Sequence, residues 1–204
     1  MSSNNFDQIA RCYDSIVHLV FGAQLINATS RYFPEIDHSD QILIVGGGSG
    51  KLLHHLPARA MIDYLELSIQ MIRLTKKQGI SGINYIHSNI ESYTIEKKYD
   101  VIILPFFLDL FPEKKIALLL NKLSENLQSK GRLYISDFAP PSRVIDKVLL
   151  KLMIIGLKPF VRLTIAQLAD IQSLVPSSIF SIQKLSKWRH GFIFSAVYEK
   201  RETL

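Results

Sequence analysis

The chain has 204 residues, 48% hydrophobic and 21% charged, which excludes a disordered polymer and fits one domain with a substantial core. The net charge of +6 permits an anionic partner, but Lys and Arg are scattered and no basic run interleaves with aromatics, so no nucleic-acid partner is expected. A single cysteine, Cys12, excludes an internal disulfide, and Met1–Asn5 shows neither a basic nor an apolar signal region, so a cytoplasmic protein is expected.

In chain order, Phe6-Asp7-Gln8-Ile9-Ala10-Arg11-Cys12-Tyr13-Asp14 opens an amphipathic helical stretch, with Ile9, Tyr13, Ile16 and Val17 at helical spacing. A second helix is predicted over Leu25–Phe33, ending at Pro34. Ile42-Leu43-Ile44-Val45 then reads as a buried parallel strand running into Gly46-Gly47-Gly48-Ser49-Gly50. A helical pattern follows from Lys51, lined by Leu52, Leu53 and Leu56 and stopped by Pro57. Strand, glycine turn and helix in succession predict a nucleotide-type pocket, where bare backbone lets a ligand approach and helix N–H groups face it. A phosphate loop would need a hydroxyl after Gly50-Lys51, and the chain has Leu52. A dinucleotide fingerprint begun at Gly46 would need glycine where Lys51 stands, which weakens a nicotinamide oxidoreductase.

Ala60–Glu66 is the second predicted strand. Glu66 falls near the spacing at which a βαβ nucleotide fold places its ribose-binding acid, and a carboxylate can accept from two vicinal hydroxyls. Ile83–His87 reads as a third strand, followed by Ser88-Asn89-Ile90, and Tyr99–Leu104 as a fourth, apolar on both faces and therefore central. Pro105-Phe106-Phe107-Leu108-Asp109-Leu110-Phe111 follows at the carboxyl edge, an aromatic turn suited to adenine and a hydrophobic acceptor. A strong amphipathic helix over Glu113–Gln128 is expected to break at Ser129-Lys130-Gly131, with Gly131 in the left-handed cap. Arg132–Phe138 is the fifth strand. Val144–Leu157 and Ile165–Val175 read as helices, the first rich in Leu, Ile and Met with Lys147 and Lys151 on one side. Ile179–Leu185 and Phe192–Tyr198 read as a closing hairpin.

Together these stretches resemble the class I S-adenosylmethionine (SAM) methyltransferases, in particular the ubiquinone/menaquinone-biosynthesis type. Gly46-x-Gly48-x-Gly50 matches their first motif, Glu66-Leu67-Ser68-x-x-Met71 their acid-x-Ser continuation, and Leu127–Asp137 their fifth-strand pattern. The departure is Ile44, where most of the family carries an acid that helps hold the methionine ammonium. The resemblance implies an α/β, Rossmann-like sandwich: a mostly parallel seven-stranded sheet with a C-terminal antiparallel hairpin and helices on both faces. It implies a single domain over 1–204, with a helical cap over 1–37 and a core over 40–204. It implies SAM as cofactor, S-adenosylhomocysteine (SAH) as product, and Gly46, Gly47, Gly48, Gly50, Glu66, Leu67, Asn89, Ile90, Leu104 and Tyr13 as cofactor-binding residues.

The expected reaction is methyl transfer to a small hydrophobic or aromatic acceptor by in-line displacement, which demands mainly alignment and exclusion of water. Tyr13, His18, Asp109 and Asp137 are ionisable groups near the inferred rim, but none sits in a signature for a base, so no catalytic residue is assigned. No metal site is expected, because Cys and His show no ligand spacing. Peripheral membrane contact through Val144–Leu157 is weighed below a helix packed over the pocket. The rival from another class is a non-catalytic ligand- or partner-binding protein of the same fold. A nucleic-acid methyltransferase is disfavoured because Leu104-Pro105-Phe106-Phe107 lacks the leading polar residue.

Overall fold

The computed structural model describes residues 21–58, 60–157 and 168–202. Seven strands form one sheet in the order β3-β2-β1-β4-β5-β7-β6. They are β1 (Gln41–Val45), β2 (Met61–Glu66), β3 (Ile83–His87), β4 (Tyr99–Pro105), β5 (Leu127–Phe138), β6 (Phe180–Trp188) and β7 (Ile193–Lys200). The first five run parallel, and β7 inserts antiparallel between β5 and β6. The expected sheet and closing hairpin are therefore present. β1 and β4 lie side by side with their chains leaving in opposite directions along the sheet, so their carboxyl ends form the switch point where open α/β sheets bind ligands.

Alternation along each strand divides the core between two faces. Leu43, Val45, Ile102, Leu104, Leu133 and Ile135 pack to one side with α3 (Glu113–Glu125), whose Ile116, Leu119, Leu120 and Leu123 recur at helical spacing. Ile42, Ile44, Val101, Ile103 and Tyr134 pack to the other with Phe33, Leu52 and Leu53. Among the described residues the remaining α-helices are α1 (Gln24–Ser30), α2 (Ile69–Lys76), α4 (Val144–Leu157) and the single turn α5 (Ile171–Leu174).

Several expected boundaries move. The Leu25–Phe33 helix ends at Ser30, and Pro34 lies inside a following 3-10 turn, Phe33–Glu35, where its missing N–H costs nothing. The stretch after the glycines is a 3-10 helix of five residues, Lys51–His55. It is too short to supply the helix N-terminus expected to face a ligand, so that role falls to the loop's own backbone. The helix expected to Gln128 ends at Glu125, and β5 begins at Leu127. Ser129-Lys130-Gly131 is therefore an irregularity within β5, not a helix cap. Lys130 takes the left-handed conformation (φ +59°), and Gly131 is required for closeness, since a Cβ there would lie 2.9 Å from the Gln128 carbonyl oxygen. Of the helix expected over Ile165–Val175, residues 168–170 are not helical and only Ile171–Leu174 is helical in the described part.

Candidate active site

The loop after β1 is packed on three of its glycines and open at the fourth. A Cβ on Gly46 would meet the Phe107 ring at 2.4 Å, one on Gly47 the Tyr64 hydroxyl at 2.5 Å, and one on Gly50 the Thr75 methyl at 2.4 Å. A Cβ on Gly48 would meet no atom within 4 Å. Gly46 and Gly48 both have positive φ, +70° and +62°, which L side chains adopt only with strain. The loop is clamped from below: the Tyr64 hydroxyl donates to the Gly48 carbonyl at 2.8 Å, the Thr75 hydroxyl lies 3.1 Å from the same oxygen, and the Gln78 amide donates to the Ser49 carbonyl.

Glu66 ends β2 beside this loop and is 8% exposed. Its Oε2 accepts from the Gly48 N–H at 3.1 Å and its Oε1 from the Ser68 N–H at 2.9 Å. Ser68 in turn caps α2, its Oγ accepting from the Met71 N–H at 3.2 Å. A carboxylate has about four acceptor positions, so two N–H donors are compatible with ligand hydroxyls as well. Leu67 is 44% exposed, and its carbonyl lies 3.0 Å from the His87 Nε2. Asn89 closes a turn after β3, with its Oδ1 accepting from the Glu91 N–H at 2.9 Å. Ile90 is buried beside it and its carbonyl accepts from the Lys122 ammonium at 2.7 Å. Leu104 is fully buried within β4, so its side chain is core and only its main chain faces the strand end. Ile44 is likewise core, packed in the second cluster where the resemblance would place an acid.

The loop after β4 crosses the same edge. Phe106 has φ +50°, a sparsely populated conformation for an aromatic residue, fixed by its N–H to the Ser136 carbonyl at 2.6 Å. Its ring lies 5.0 Å from Phe138, which lies 5.2 Å from Phe192 and 5.4 Å from Phe21, so an aromatic cluster lines the carboxyl ends of β4 and β5. Asp137, fully buried at the end of β5, accepts from the N–H groups of Leu108 (2.9 Å), Asp109 (3.3 Å) and Phe138 (2.8 Å). It ties the β4 loop to β5. Burial pushes Asp109 up to about 7, partly offset by its own N–H and by Asp137. Burial and the neighbouring Asp109 charge push Asp137 well above the usual carboxylate range, against the pull of its three N–H donors. Asp109 Oδ1 is sealed from solvent with no hydrogen-bond partner. Both carboxyls therefore favour the protonated form, Asp137 as a buried group and Asp109 as a half-buried one with one sealed oxygen.

Curated proteins with related sequences are malonyl-[acyl-carrier protein] O-methyltransferases. That of Priestia megaterium is 32% identical over 139 residues, covering 65% of this chain and 49% of the relative. One from Ilyobacter polytropus is 28% identical over 106 residues, covering 49% of this chain and 40% of the relative. The matched stretch thus spans half or less of those relatives' lengths. No family model matches the chain. Among solved structures, magnesium protoporphyrin IX methyltransferase from Synechocystis PCC 6803 with bound SAH superposes with a TM-score of 0.71 at 18% identity, covering 97% of this chain and 96% of that one. The fold is that of the class I SAM-dependent methyltransferases.

Within that methyltransferase fold, the structure brings Gly46, Gly47, Gly48, Gly50, Glu66, Leu67, Asn89, Ile90 and the end of β4 to one edge of the sheet. Tyr13 and His18 lie outside the described residues. The sequence reading missed Tyr64, Thr75 and Gln78, which hold the loop. Their signal was a polar atom on an otherwise buried position: Tyr64 and Thr75 are both 0% exposed. Among the described residues, no group of three or more His, Cys, Asp or Glu is placed to hold a metal ion.

Proposed function

We propose that this chain is a SAM-dependent methyltransferase acting on an oxygen of a small acid with an apolar or aromatic body. The observation that carries the reading is the glycine loop, sealed against Phe107, Tyr64 and Thr75 yet open over Gly48, directly beside the Glu66 carboxylate. That cradle fits an adenosine ligand. Glu66 accepts the ribose hydroxyls, the Gly46–Gly50 backbone lies against the methionine portion, and Asn89 with the Ile90 N–H reads the adenine edge. Leu67, Leu104 and Tyr13 complete the cofactor set.

The cofactor supplies a methyl group on a sulfonium whose leaving thioether is neutral. The chain's part is alignment and exclusion of water, and alignment of this kind contributes about 7–11 kcal/mol. Phe106, half-buried and backed by the buried Phe138 and Phe192, offers the acceptor an apolar surface. A carboxylate acceptor is ionised at neutral pH and needs no base, which suits a rim where the buried Asp137 is engaged with three backbone N–H groups. The names of the curated relatives, O-methyltransferases, support an oxygen as the acceptor atom. Labelled-methyl transfer from SAM to a panel of small carboxylic acids, alcohols and amines tests the reading. Transfer to acids above the others is expected. Cofactor binding with no transfer to any acceptor would instead favour the non-catalytic alternative, in which Ile44 marks a site that has lost its grip on the methionine ammonium.

A further inference from the structure

The chain's excess of positive charge arises where acids are scarce, although Lys and Arg themselves are spread along the whole sequence. Between Asp146 and Glu199 there are seven Lys and Arg (Lys147, Lys151, Lys158, Arg162, Lys184, Lys187 and Arg189) and one acid, Asp170. Their difference equals the net +6 of the whole chain, so the remainder carries 17 of each sign and is neutral. Where α4 runs into this segment, the described residues present apolar side chains to solvent beside cations. Val144, Ile145 and Val148 on the first turns of α4 are 74%, 65% and 52% exposed, with Arg143 and Lys147 exposed among them. The acid in that turn, Asp146, is buried and faces Arg189 at 3.5 Å, so it adds no negative charge to the surface.

The same contacts join α4 to the β6–β7 turn. Arg143 lies 3.0 Å from the His190 ring nitrogen, and Arg189 packs over the Phe21 ring at 5.6 Å. Arg189 and His190 both adopt positive φ, +48° and +55°, a strained pair that turns this basic corner toward α4. Leu149 and Leu150 pack inward on the cluster that contains Phe138 and Phe192, so the described turns of the helix are seated there while Val144, Ile145 and Val148 are exposed. Among the described residues no helix is long and apolar enough to cross a membrane.

We propose that this face, the exposed side of α4 with the adjoining β6–β7 turn, docks on an anionic lipid surface. The chemistry is that of an interfacial helix: Val144, Ile145 and Val148 enter the headgroup boundary while Arg143 and Lys147 extend to lipid phosphates. A bilayer suits a helix whose apolar residues run nearly all round it, since lipid imposes no groove to match. Docking there brings the aromatic cluster at the strand ends close to the bilayer, from which an apolar acceptor could be taken. The docking itself needs no cofactor and no turnover, so its failure and that of the methyltransferase reading are separable.

The test is flotation of the whole chain, without cofactor, on vesicles of phosphatidylcholine alone and of phosphatidylcholine with an equal share of phosphatidylglycerol. Binding to the anionic vesicles at low salt and its loss at high salt are expected. Ile145→Glu with Val148→Glu should weaken it by about tenfold or more, and Lys147→Ala by about fivefold. Leu118→Glu, at a residue 69% exposed on α3, should leave binding unchanged. Circular dichroism checks that each variant folds, and Lys147→Ala carries the test should the double variant fail to. No binding to anionic vesicles overturns the proposal. So does an equal loss with Leu118→Glu, or self-association or capture of an acidic protein through this face without vesicle binding.

Discussion

Alanine at Gly46 and at Gly48 should have different consequences although the two residues share nearly the same backbone conformation. Positive φ, +70° and +62°, imposes left-handed strain of about 1–2 kcal/mol on either substitution. At Gly46 the new methyl also meets the Phe107 ring at 2.4 Å, an overlap that forces the ring to move. Overpacking of this kind adds about 1–3 kcal/mol, so Gly46→Ala should destabilise by about 2–5 kcal/mol and Gly48→Ala by about 1–2. Urea unfolding at fixed pH measures both, and Phe107→Ala combined with Gly46→Ala should show a coupling of opposite sign to the clash. Cofactor affinity should reverse the order. The Gly48 methyl projects into the open cradle, so Gly48→Ala should weaken SAH at least about tenfold, equivalent to about 1.4 kcal/mol, and Gly48→Val should abolish binding in a folded protein. Equal destabilisation by the two alanines, or a folded Gly48→Val with unchanged affinity, would refute the reasoning.

Glu66→Ala should weaken SAM by roughly ten- to a hundredfold, from charged hydrogen bonds of about 1.5–3 kcal/mol. The variant should also discriminate less than wild type against a 2′-deoxy cofactor, measured by calorimetry. Glu66→Gln is not benign, because both carboxylate oxygens already accept from N–H groups and an amide would turn its own donor toward one of them. Asp63 is held below its usual range: burial pushes it up, but Tyr99, Asn84 and Lys97 outweigh this. Its stabilising contribution is present above the unfolded carboxyl value of about 4 and lost as pH falls through the lowered folded value. Asp63→Asn should flatten that acid limb in urea midpoints. The Asp109–Asp137 pair has the opposite sign, since the folded state holds its proton more tightly than the unfolded chain. Stability should decline as pH rises from about 4 toward 7, and Asp109→Asn should reduce that slope, leaving the part that burial of Asp137 contributes.

The sheet was legible because its signals are local. Ile42–Val45 and Tyr99–Leu104 are apolar on both faces, and the glycines after Val45 interrupt the pattern at once. Helix ends were harder. Ser129-Lys130-Gly131 looks like a helix stop, but the chain has already entered β5 at Leu127, and the pairing of Tyr99 with Leu127 that decides this is a tertiary contact. The gathering of Gly46, Glu66 and Asn89 at one sheet edge was readable because each sits at or just after the end of a strand. The clamp of Tyr64, Thr75 and Gln78 on Gly48 and Ser49 was not, since it joins residues 16 to 29 positions apart. The charge asymmetry was present in the sequence, but only the burial of Asp146 against Arg189 shows that the exposed turn of α4 is wholly basic.

Titration of the wild-type chain with SAH, SAM and NAD in a calorimeter tests the central claim most directly. The site built from Gly48 and Glu66 predicts one SAH or SAM bound per chain and no heat from NAD. Binding of NAD in preference to SAH, or no binding of SAM and SAH to the folded protein, would contradict it.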